Sequence, residues 1–472
     1  MAESLLHVCP DRSAPLDPGF VPAARANARY RAAVRSTDDT AVLLLALERE
    51  NGQLRRSELE ILAPGSRYDA DTLRYVDRHI KFLLWAWGGW RLMLAGPKPV
   101  CQAMRDQYRI PDGPRAFDAG IMAAVYERPF TVETAEPDQM PEPRESASRI
   151  GGHLDGCRIG FDLGASDYKL AAVVEGKTVF SDERPWHPTA EADPDYHRSH
   201  ILSGLEDAAC RLPRLDAIGG SAAGIYVNNQ VKRASLFRAV PEDVFQDKVK
   251  PMFLEIQKAF GVPMVVANDG DVTALAGAMS LQRHAMLGIA MGSSEAAGYL
   301  DGKGCISGIL TELAFAPVDF NPDAVRDEWS GDIGVGAQYF SQQAVARLAP
   351  AAGLALPEDL PLPERLKAVQ SLVNDADPRA TAIFETIGVY LGYTLAHYAD
   401  YYPFENVLVL GRVTSGRGGE IIRTNAGEVL EKDFPDLAER STVHVPDEAS
   451  RRVGQAVAAA SLPEIGTRGT RT

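Results

Sequence analysis

An amide and two carboxylates stand together where an apolar run gives way to a helical pattern. Residues 264–267 are apolar, Asn268, Asp269 and Asp271 follow, and small and apolar residues then recur at helical spacing. One interpretation is a helix cap, because Asn and Asp side chains accept hydrogen bonds from the free N–H groups of a first helical turn. The other is a catalytic carboxylate at the carboxyl end of a strand, where open α/β sheets bind ligands. The stretch by itself leaves both open.

The segment 158–182 has the pattern of a strand, a tight turn and two further strands. Asp162 lies near the end of the first strand, and Gly164 and Ser166 lie in the turn. Small turn residues let backbone N–H groups approach an anion, and the serine hydroxyl adds a donor. A carboxylate beside phosphate requires a cation, which Mg²⁺ held through water would supply. The segment is therefore a candidate phosphate loop, although an ordinary β-hairpin explains the same pattern.

Two later segments repeat this combination. In 286–304 an apolar strand runs into a Gly-Ser-Ser turn at 292–294. In 406–422 an apolar strand meets Gly411, and a turn that contains Ser415 precedes a helix. A helix N-terminus behind such a turn can hold a phosphate or a nucleoside. Together, the three loops and the Asn-Asp strand end indicate a nucleotide site more strongly than any one of them does.

The composition is that of an ordinary soluble globular chain. The 472 residues are 45% hydrophobic and 24% charged, which is typical of globular proteins. No apolar run is long enough to predict a membrane span, and the N-terminus lacks the pattern of a secretory signal. The five scattered cysteines indicate neither a zinc site nor a disulfide framework, so the cytoplasm is the expected location. The net charge of −15 argues against general nucleic-acid binding, which needs concentrated Lys and Arg.

A stretch with the composition of a linker divides the chain within its first third. Residues 131–150 are rich in Pro, Glu and Ser, as linkers are, and they separate a segment 1–130 from the rest. Within that segment, 38–51 shows a strong apolar helix pattern and 69–87 predicts a long helix. From 157 onward, short β-like runs bounded by glycine alternate with helical segments, which predicts an α/β architecture.

The order and spacing of these motifs resemble the ROK family (repressors, open reading frames and kinases) of the actin-like ATPase superfamily. "IGFDLGASDYK" resembles the family's first phosphate motif, and "AMGSSEAAGYL" resembles its second. "VANDGDVTALAG" is similar to its Glu-Asn-Asp-Ala-Asn segment, and "LVLGRVTSGRGG" to its adenosine motif. "TELAFAPVD" is similar to the Gly-Glu-x-Gly-His segment that touches the sugar. The resemblance covers roughly 158–462.

The resemblance implies an α/β, actin-like two-lobe ATPase fold of the ribonuclease H-like type. We expect a first lobe at 151–267 and a second at 268–472, with the C-terminal helix packing back across the lobes. The segment 1–130 is then an extra N-terminal α+β domain, joined by the linker 131–150.

The resemblance also assigns roles to residues. Asp269 becomes the general base that takes the proton from a sugar hydroxyl, and Asn268, Glu312 and Gln338 bind the sugar. Asp162 faces Mg²⁺ through water. The expected ATP- and phosphate-binding residues are Asp162, Gly164, Ser166, Lys169, Gly292, Ser293, Ser294, Gly411 and Ser415. The implied function is ATP-dependent phosphoryl transfer to a sugar hydroxyl.

Several departures from the family pattern bear on that function. The family's cysteine-rich zinc segment is absent, and the acidic loop 320–343 stands in its place, so no zinc site is expected. Phe315 replaces the sugar-binding His, and Ala337 replaces a second sugar-binding Glu. Glu295 enters the second phosphate loop, where it would repel ATP. The acidic residues of 320–343 are interpreted either as polar contacts or, more simply, as a solvated loop.

Two alternatives to a kinase therefore stay open. One is a ROK regulator that senses sugar without turnover, and the other is an actin-like or Hsp70-like ATPase with a protein partner. ROK repressors carry a winged helix-turn-helix, and "ENGQLRRSELEIL" faintly resembles one. Basic and acidic residues nearly balance over 1–150, so nucleic acid is not an expected partner. A small-molecule sugar is the expected ligand, no membrane association is expected, and the resemblance admits a homodimer.

Overall fold

A computed structural model describes residues 4–145, 150–164, 166–357, 359–446 and 448–465, and the side chains of 448–453 are not described. Residues 146–149 of the expected linker and Ala165 of the first candidate loop lie outside the described residues. Two sheets of similar topology and a third, N-terminal sheet organise the chain.

The N-terminal segment forms a four-stranded sheet in the order β2-β1-β3-β4, with helices packed on it. Its elements are α1 (Ala23–Arg35), β1 (Thr40–Glu48), β2 (Leu54–Leu62), α2 (Asp69–Trp87), β3 (Arg91–Ala95), α3 (Lys98–Arg109), α4 (Ala116–Tyr126) and β4 (Thr131–Thr134). The long helix expected over 69–87 is confirmed as α2.

The helix expected over 38–51 is wrong, because this stretch forms β1 and pairs antiparallel with β2. Leu43, Leu45 and Leu47 face the main core, whereas Leu44 and Ala46 face a second apolar cluster on the other side of the sheet. A strand buried on both faces is a continuous apolar run, which periodicity cannot distinguish from a buried helix.

The first lobe is a five-stranded sheet in the order β11-β8-β5-β6-β7. Strands β5, β6 and β7 form an antiparallel meander, and β8 and β11 continue the sheet in parallel. The elements are β5 (Cys157–Leu163), β6 (Asp167–Val174), β7 (Lys177–Pro185), α5 (Pro194–Ala209), β8 (Ala217–Ala222), β9 (Ile225–Val227), β10 (Gln230–Arg233), α6 (Glu242–Val244), α7 (Met252–Phe260) and β11 (Met264–Asn268).

The second lobe repeats the hairpin-plus-parallel pattern in the order β13-β12-β14-β15. Its elements are α8 (Asp269–Leu281), β12 (Met286–Met291), β13 (Glu295–Leu300), α9 (Gln342–Ala351), α10 (Leu362–Asn374), α11 (Pro378–Tyr398), β14 (Asn406–Leu410), α12 (Arg417–Asp433), α13 (Pro435–Arg440), β15 (Thr442–His444) and α14 (Glu448–Ala460). In both lobes the first strand turns directly into the second, as expected for the two candidate phosphate loops.

The C-terminal helix α14 contacts both lobes. Ala456 and Ala460 pack with Ala171 of the first-lobe sheet, and Ala458 packs with residues of α8 in the second lobe. Its backbone lies so close to the first-lobe sheet that a Cβ on Gly160 would be 1.7 Å from the Ala456 carbonyl oxygen. A side chain at this glycine would therefore push the helix off the sheet.

One face of the N-terminal sheet shares its hydrophobic core with the second lobe, and only the smaller cluster on the other face belongs to the segment alone. Phe315 is buried in the shared core, with its ring centroid 4.5 Å from that of Trp85 and 5.4 Å from that of Phe117. The residue that replaces the family's sugar-binding His is thus part of the contact between the N-terminal segment and the second lobe.

Six buried charges reinforce this contact. Asp332 of the 320–343 loop accepts from Arg78 at 2.8 Å and from Arg115 at 2.8 Å, and Lys81 lies 3.2 Å from it. Two further carboxylates pair with cations of the N-terminal segment itself, Asp77 with Arg115 and Asp118 with Lys81. We call the set the ionic cluster; its members are Asp77, Arg78, Lys81, Arg115, Asp118 and Asp332.

The solvated-loop interpretation of 320–343 is therefore wrong for its buried acids. Asp332 is paired in the ionic cluster, and Asp327 accepts from the Ser330 backbone N–H and hydroxyl, both at 2.7 Å. Asp319 accepts from the Tyr339 hydroxyl at 2.6 Å and from the Val21 N–H at 3.0 Å. Asp332 and Asp319 thus join this region to the N-terminal segment, whereas Asp327 stabilises the loop itself.

Candidate functional site

The helix-cap interpretation is confirmed for Asn268, and the same side chain also contacts the second lobe. Its side-chain oxygen accepts from the Gly270 N–H at 2.7 Å, which caps α8. Its amide nitrogen donates to the Gly224 carbonyl at 2.8 Å and to Glu312 at 3.3 Å. The cap thus fixes an amide that also joins the two lobes.

Asp269 is the first residue of α8, and the capping residue is the preceding Asn268. It is half-buried at the junction of the lobes. Burial, aided by the negative charge of Asp162, raises the pKa of Asp269 to about 6. A carboxylate with a pKa near neutrality is well suited to act as a general base. Asp162 lies on the same sheet, because Asp162 of β5 and Ala267 of β11 both pair in register with Ser221 of the intervening strand β8.

Glu312 is positioned by the N-terminal segment. Its backbone N–H donates to the Trp85 carbonyl at 2.9 Å, and the Thr311 N–H donates to the Ala86 carbonyl at 3.1 Å. These carbonyls belong to the last turn of α2, whose carbonyls have no partner within the helix. Burial, and then the nearby charges of Asp269 and Asp271, raise the pKa of Glu312 to about 8.

Asp271 is a residue of this cluster to which the motif analysis assigned no role. It is buried, and the Tyr299 N–H donates to it at 3.3 Å. Burial raises its pKa to about 7. The signal in the sequence was its spacing of two from Asp269, which keeps both residues in the first turn of α8.

The first candidate loop is the turn between β5 and β6. Asp162 is buried, accepts from the Ser221 hydroxyl at 2.7 Å and lies 3.8 Å from the Lys169 ammonium. Burial raises its pKa despite these two partners. Gly164 donates its N–H to the Asp167 carbonyl at 2.9 Å, which closes the turn. The Ser166 side chain lies exposed beside it.

The second and third loops lie at the ends of β12 and β14. Gly292 donates its N–H to the Ser294 carbonyl at 3.0 Å, and the Ser293 and Ser294 side chains are exposed in this turn. Gly411 has a φ of 106°, and a Cβ there would lie 2.4 Å from the Met291 carbonyl oxygen. Glycine thus allows the third loop to lie directly against the end of β12. Ser415 lies just before α12.

Arg412 is a cation of the third loop, next to Gly411, to which the motifs assigned no role. Lys169, Ser166 and Arg412 together outweigh partial burial and lower the pKa of Asp167. The positive charge of Arg412 thus favours the ionised form of Asp167. Its only sequence signal was a position next to Gly411.

Two further residues singled out in the sequence have hydrogen-bond partners within the protein. The Gln338 amide donates to Asp327 at 3.1 Å and to Gln343 at 2.7 Å, so both of its donors are used within the protein. Glu295 faces the core, where the Tyr398 hydroxyl donates to it at 3.3 Å. The expected repulsion between Glu295 and ATP is therefore wrong, because β13 turns this side chain away from the loop.

Glu295 should make the stability of the protein depend on pH. It is 3% exposed, and burial raises its pKa to about 8. Because the folded pKa exceeds the unfolded pKa, the folded state holds the extra proton and stability falls as pH rises from about 4.5 to 8. We expect Glu295→Gln to melt a few degrees above the wild type at pH 8 and level with it at pH 4.5. An equal difference at both pH values would contradict this.

Among the described residues, no group of three or more His, Cys, Asp and Glu side chains is arranged to hold a metal ion. The expectation that zinc is not bound stays a prediction for elemental analysis. None of the described helices is both long and apolar enough to span a membrane.

Comparison of the sequence with family models and with curated proteins gives no match. Solved structures do match. The chain is similar to a ROK family transcriptional regulator, a homologue of the E. coli Mlc protein, with 20% identity and a TM-score of 0.52 over 65% of this chain and 78% of that one. It is also similar to the ROK hexokinase from Thermus thermophilus, with 17% identity and a TM-score of 0.50 over 64% of this chain and 97% of that one.

These likenesses define the fold. The chain has the two-lobe, actin-like ATPase fold of ROK proteins, as the motifs predicted. Because one matching structure is a regulator and the other a kinase, the activity must be argued from the site.

Proposed function

We propose that this protein is a ROK kinase that transfers the γ-phosphoryl group of ATP to a hydroxyl of a sugar or sugar derivative. The observation that carries the proposal is the position of Asp269. It directly follows Asn268, whose amide donates to Glu312 at 3.3 Å, at the end of a strand that is in register with β8 and with the Asp162-bearing strand β5.

The acceptor hydroxyl would be oriented by Asn268 and Glu312 and deprotonated by Asp269. A base must lie within hydrogen-bond reach of the proton that it removes. Since its pKa is about 6, Asp269 is mostly ionised at neutral pH. The pKa of Glu312 is about 8, so Glu312 is mostly protonated there and can both donate to and accept from a sugar hydroxyl.

The nucleotide would lie along the three Gly/Ser loops. Phosphoryl transfer relies on positioning of the phosphates and on neutralisation of their charge. Exposed serine hydroxyls and backbone N–H groups of the loops are suited to position the phosphates. Asp162 fits an Mg²⁺ ion held through water, because its carboxylate is a hard oxygen ligand in a cluster with excess negative charge. The ion would supply charge neutralisation, to which Lys169, 3.8 Å from Asp162, and Arg412 of the third loop would add.

The N-terminal segment gives the regulator alternative no support. Residues 54–62, part of the stretch that faintly resembled a helix-turn-helix, form β2, the second strand of a hairpin with β1. Within the described residues 4–145, both strands belong to a sheet that packs on the second lobe.

The test is ADP release with Mg²⁺ and ATP across a panel of sugars, followed by the pH dependence of kcat/KM. With Asp269 as the base, kcat/KM should fall about tenfold per pH unit below pH 6, because the protonated carboxyl cannot accept the hydroxyl proton. Glu312→Gln should keep this acid limb while it raises KM for the sugar. Sugar-independent ADP release at the same rate would instead identify an ATPase, and sugar binding without ADP release would identify a sensor.

A further inference from the structure

A cleft of about 630 Å³ opens beside Asn268, and three parts of the chain line it. The first lobe contributes β11 and the turn between β9 and β10, and the second lobe contributes the loop 306–310. The N-terminal segment contributes the hairpin tip 49–53 and Tyr126. The volume is well within the range of about 300–1,000 Å³ that is usual for ligand pockets.

The hairpin tip is held in place over the cleft. Arg49 is buried, donates to the Gly308 carbonyl at 2.7 Å and lies 4.5 Å from the ring centroid of Trp87. It also donates to Gln53 on the other side of the tip. These contacts fix the hairpin tip against the second lobe, so this wall of the cleft is held in place.

Two exposed asparagines line the cleft, one from the N-terminal segment and one from the first lobe. Asn51 lies at the hairpin tip and Asn228 in the β9–β10 turn. Both have positive φ, 56° and 51°, and neither side chain has a hydrogen-bond partner among the described residues. By contrast Asn229, next to Asn228, uses its amide to hold Met264 and Val266. The two free amides are thus available to a ligand.

The chemistry of the walls favours a hydroxyl-rich group. An amide both donates and accepts, as a sugar hydroxyl does. Arg49 and Glu50 bring opposite charges to the same wall, so neither a strongly anionic nor a strongly cationic group is preferred. One oxygen of Glu50 has no hydrogen-bond partner among the described residues, and a rotation of this side chain would offer it to a hydroxyl.

We infer that the acceptor extends beyond one sugar ring, and that the N-terminal segment forms a second subsite for its hydroxyl-rich extension. This inference rests on the proposed function, in which the phosphorylated ring lies at Asn268 and Glu312. The extension, a second sugar ring or a polar glycosidic substituent, lies between Asn51 and Asn228.

The experiment compares hexoses with their disaccharides, both in the ADP-release assay and by calorimetric titration. The variants are Asn51→Gly and Asn228→Gly, because glycine keeps a positive φ without strain. Asp112→Gly is the matched control, since Asp112 has a φ of 57° in an exposed turn that does not line the cleft. Melting temperatures verify that all variants fold.

We expect at least one disaccharide to have the higher kcat/KM, and each Asn→Gly variant to raise its KM about 3- to 10-fold, the value of one neutral hydrogen bond. The KM for the hexose and the Asp112→Gly variant should stay unchanged. If hexoses are phosphorylated, and the variants affect both acceptors equally or not at all, the second subsite is refuted and the kinase stands. If a disaccharide binds with an affinity that depends on Asn51 but no ADP is released, the subsite stands and the kinase is refuted. No binding of any disaccharide refutes the subsite.

Discussion

Asp269→Asn is expected to abolish phosphoryl transfer and to leave ATP binding nearly intact. The amide has the shape of the carboxylate but cannot take the proton from the acceptor hydroxyl. Loss of a general base lowers the rate by about 10²–10⁴-fold. The measurements are kcat from ADP release and the dissociation constant for ATP from calorimetry.

The matched control is Asp193→Asn, which makes the same change at a helix start in the first lobe. The Asp193 side chain caps α5 by accepting from the Asp195 N–H at 3.0 Å. Asparagine is an equally good cap, so this variant should retain full activity. Near-normal turnover by the Asp269 variant would show that Asp269 only serves the first turn of α8, and the proposed mechanism would fail.

Asp332→Asn is expected to destabilise the protein by about 3–5 kcal/mol, as the removal of one partner from a buried ion pair typically does. In the ionic cluster three cations face three carboxylates, and the variant leaves one buried cation without compensation. Urea unfolding and the melting temperature would measure the loss.

Asp207→Asn is the control for this change, because Asp207 pairs with Arg184 on the surface at 2.6 Å. An exposed pair contributes no more than about 1 kcal/mol. Burial alone would raise the pKa of Asp332, but Lys81, Arg78 and Arg115 outweigh it and hold the pKa well below its usual range. This stabilisation is therefore complete above about pH 4 and is lost only in stronger acid. Equal losses in the two variants would contradict a compensated cluster.

The local elements of the site could be predicted from the sequence. The glycines, serines and the Asn-Asp pair act within their own turns, as the Gly164 and Asn268 hydrogen bonds show. Their order along the chain also predicted the fold. The prediction was wrong over 38–51, because a run buried on both faces carries no period that separates strand from helix.

The tertiary structure decided which side chains meet. Glu295 follows the Gly-Ser-Ser turn directly, yet it faces the core. Gln338 lies in the 320–343 segment, and its amide is used within that region. Whether a residue beside a loop points into it depends on the register of its strand, and one position reverses the face.

The sequence by itself determined the three Gly/Ser turns, the strand end with Asn268 and Asp269, and the two-lobe fold, because short-range turn chemistry and motif order encode them. Only the tertiary structure decided that the N-terminal segment packs on the second lobe and holds Glu312. The contacts responsible join residues far apart in the chain: Arg78 and Asp332 are 254 positions apart, and the last turn of α2 holds Glu312 through backbone carbonyls. Backbone hydrogen bonds of this kind depend on no particular side chain, so no sequence pattern records them.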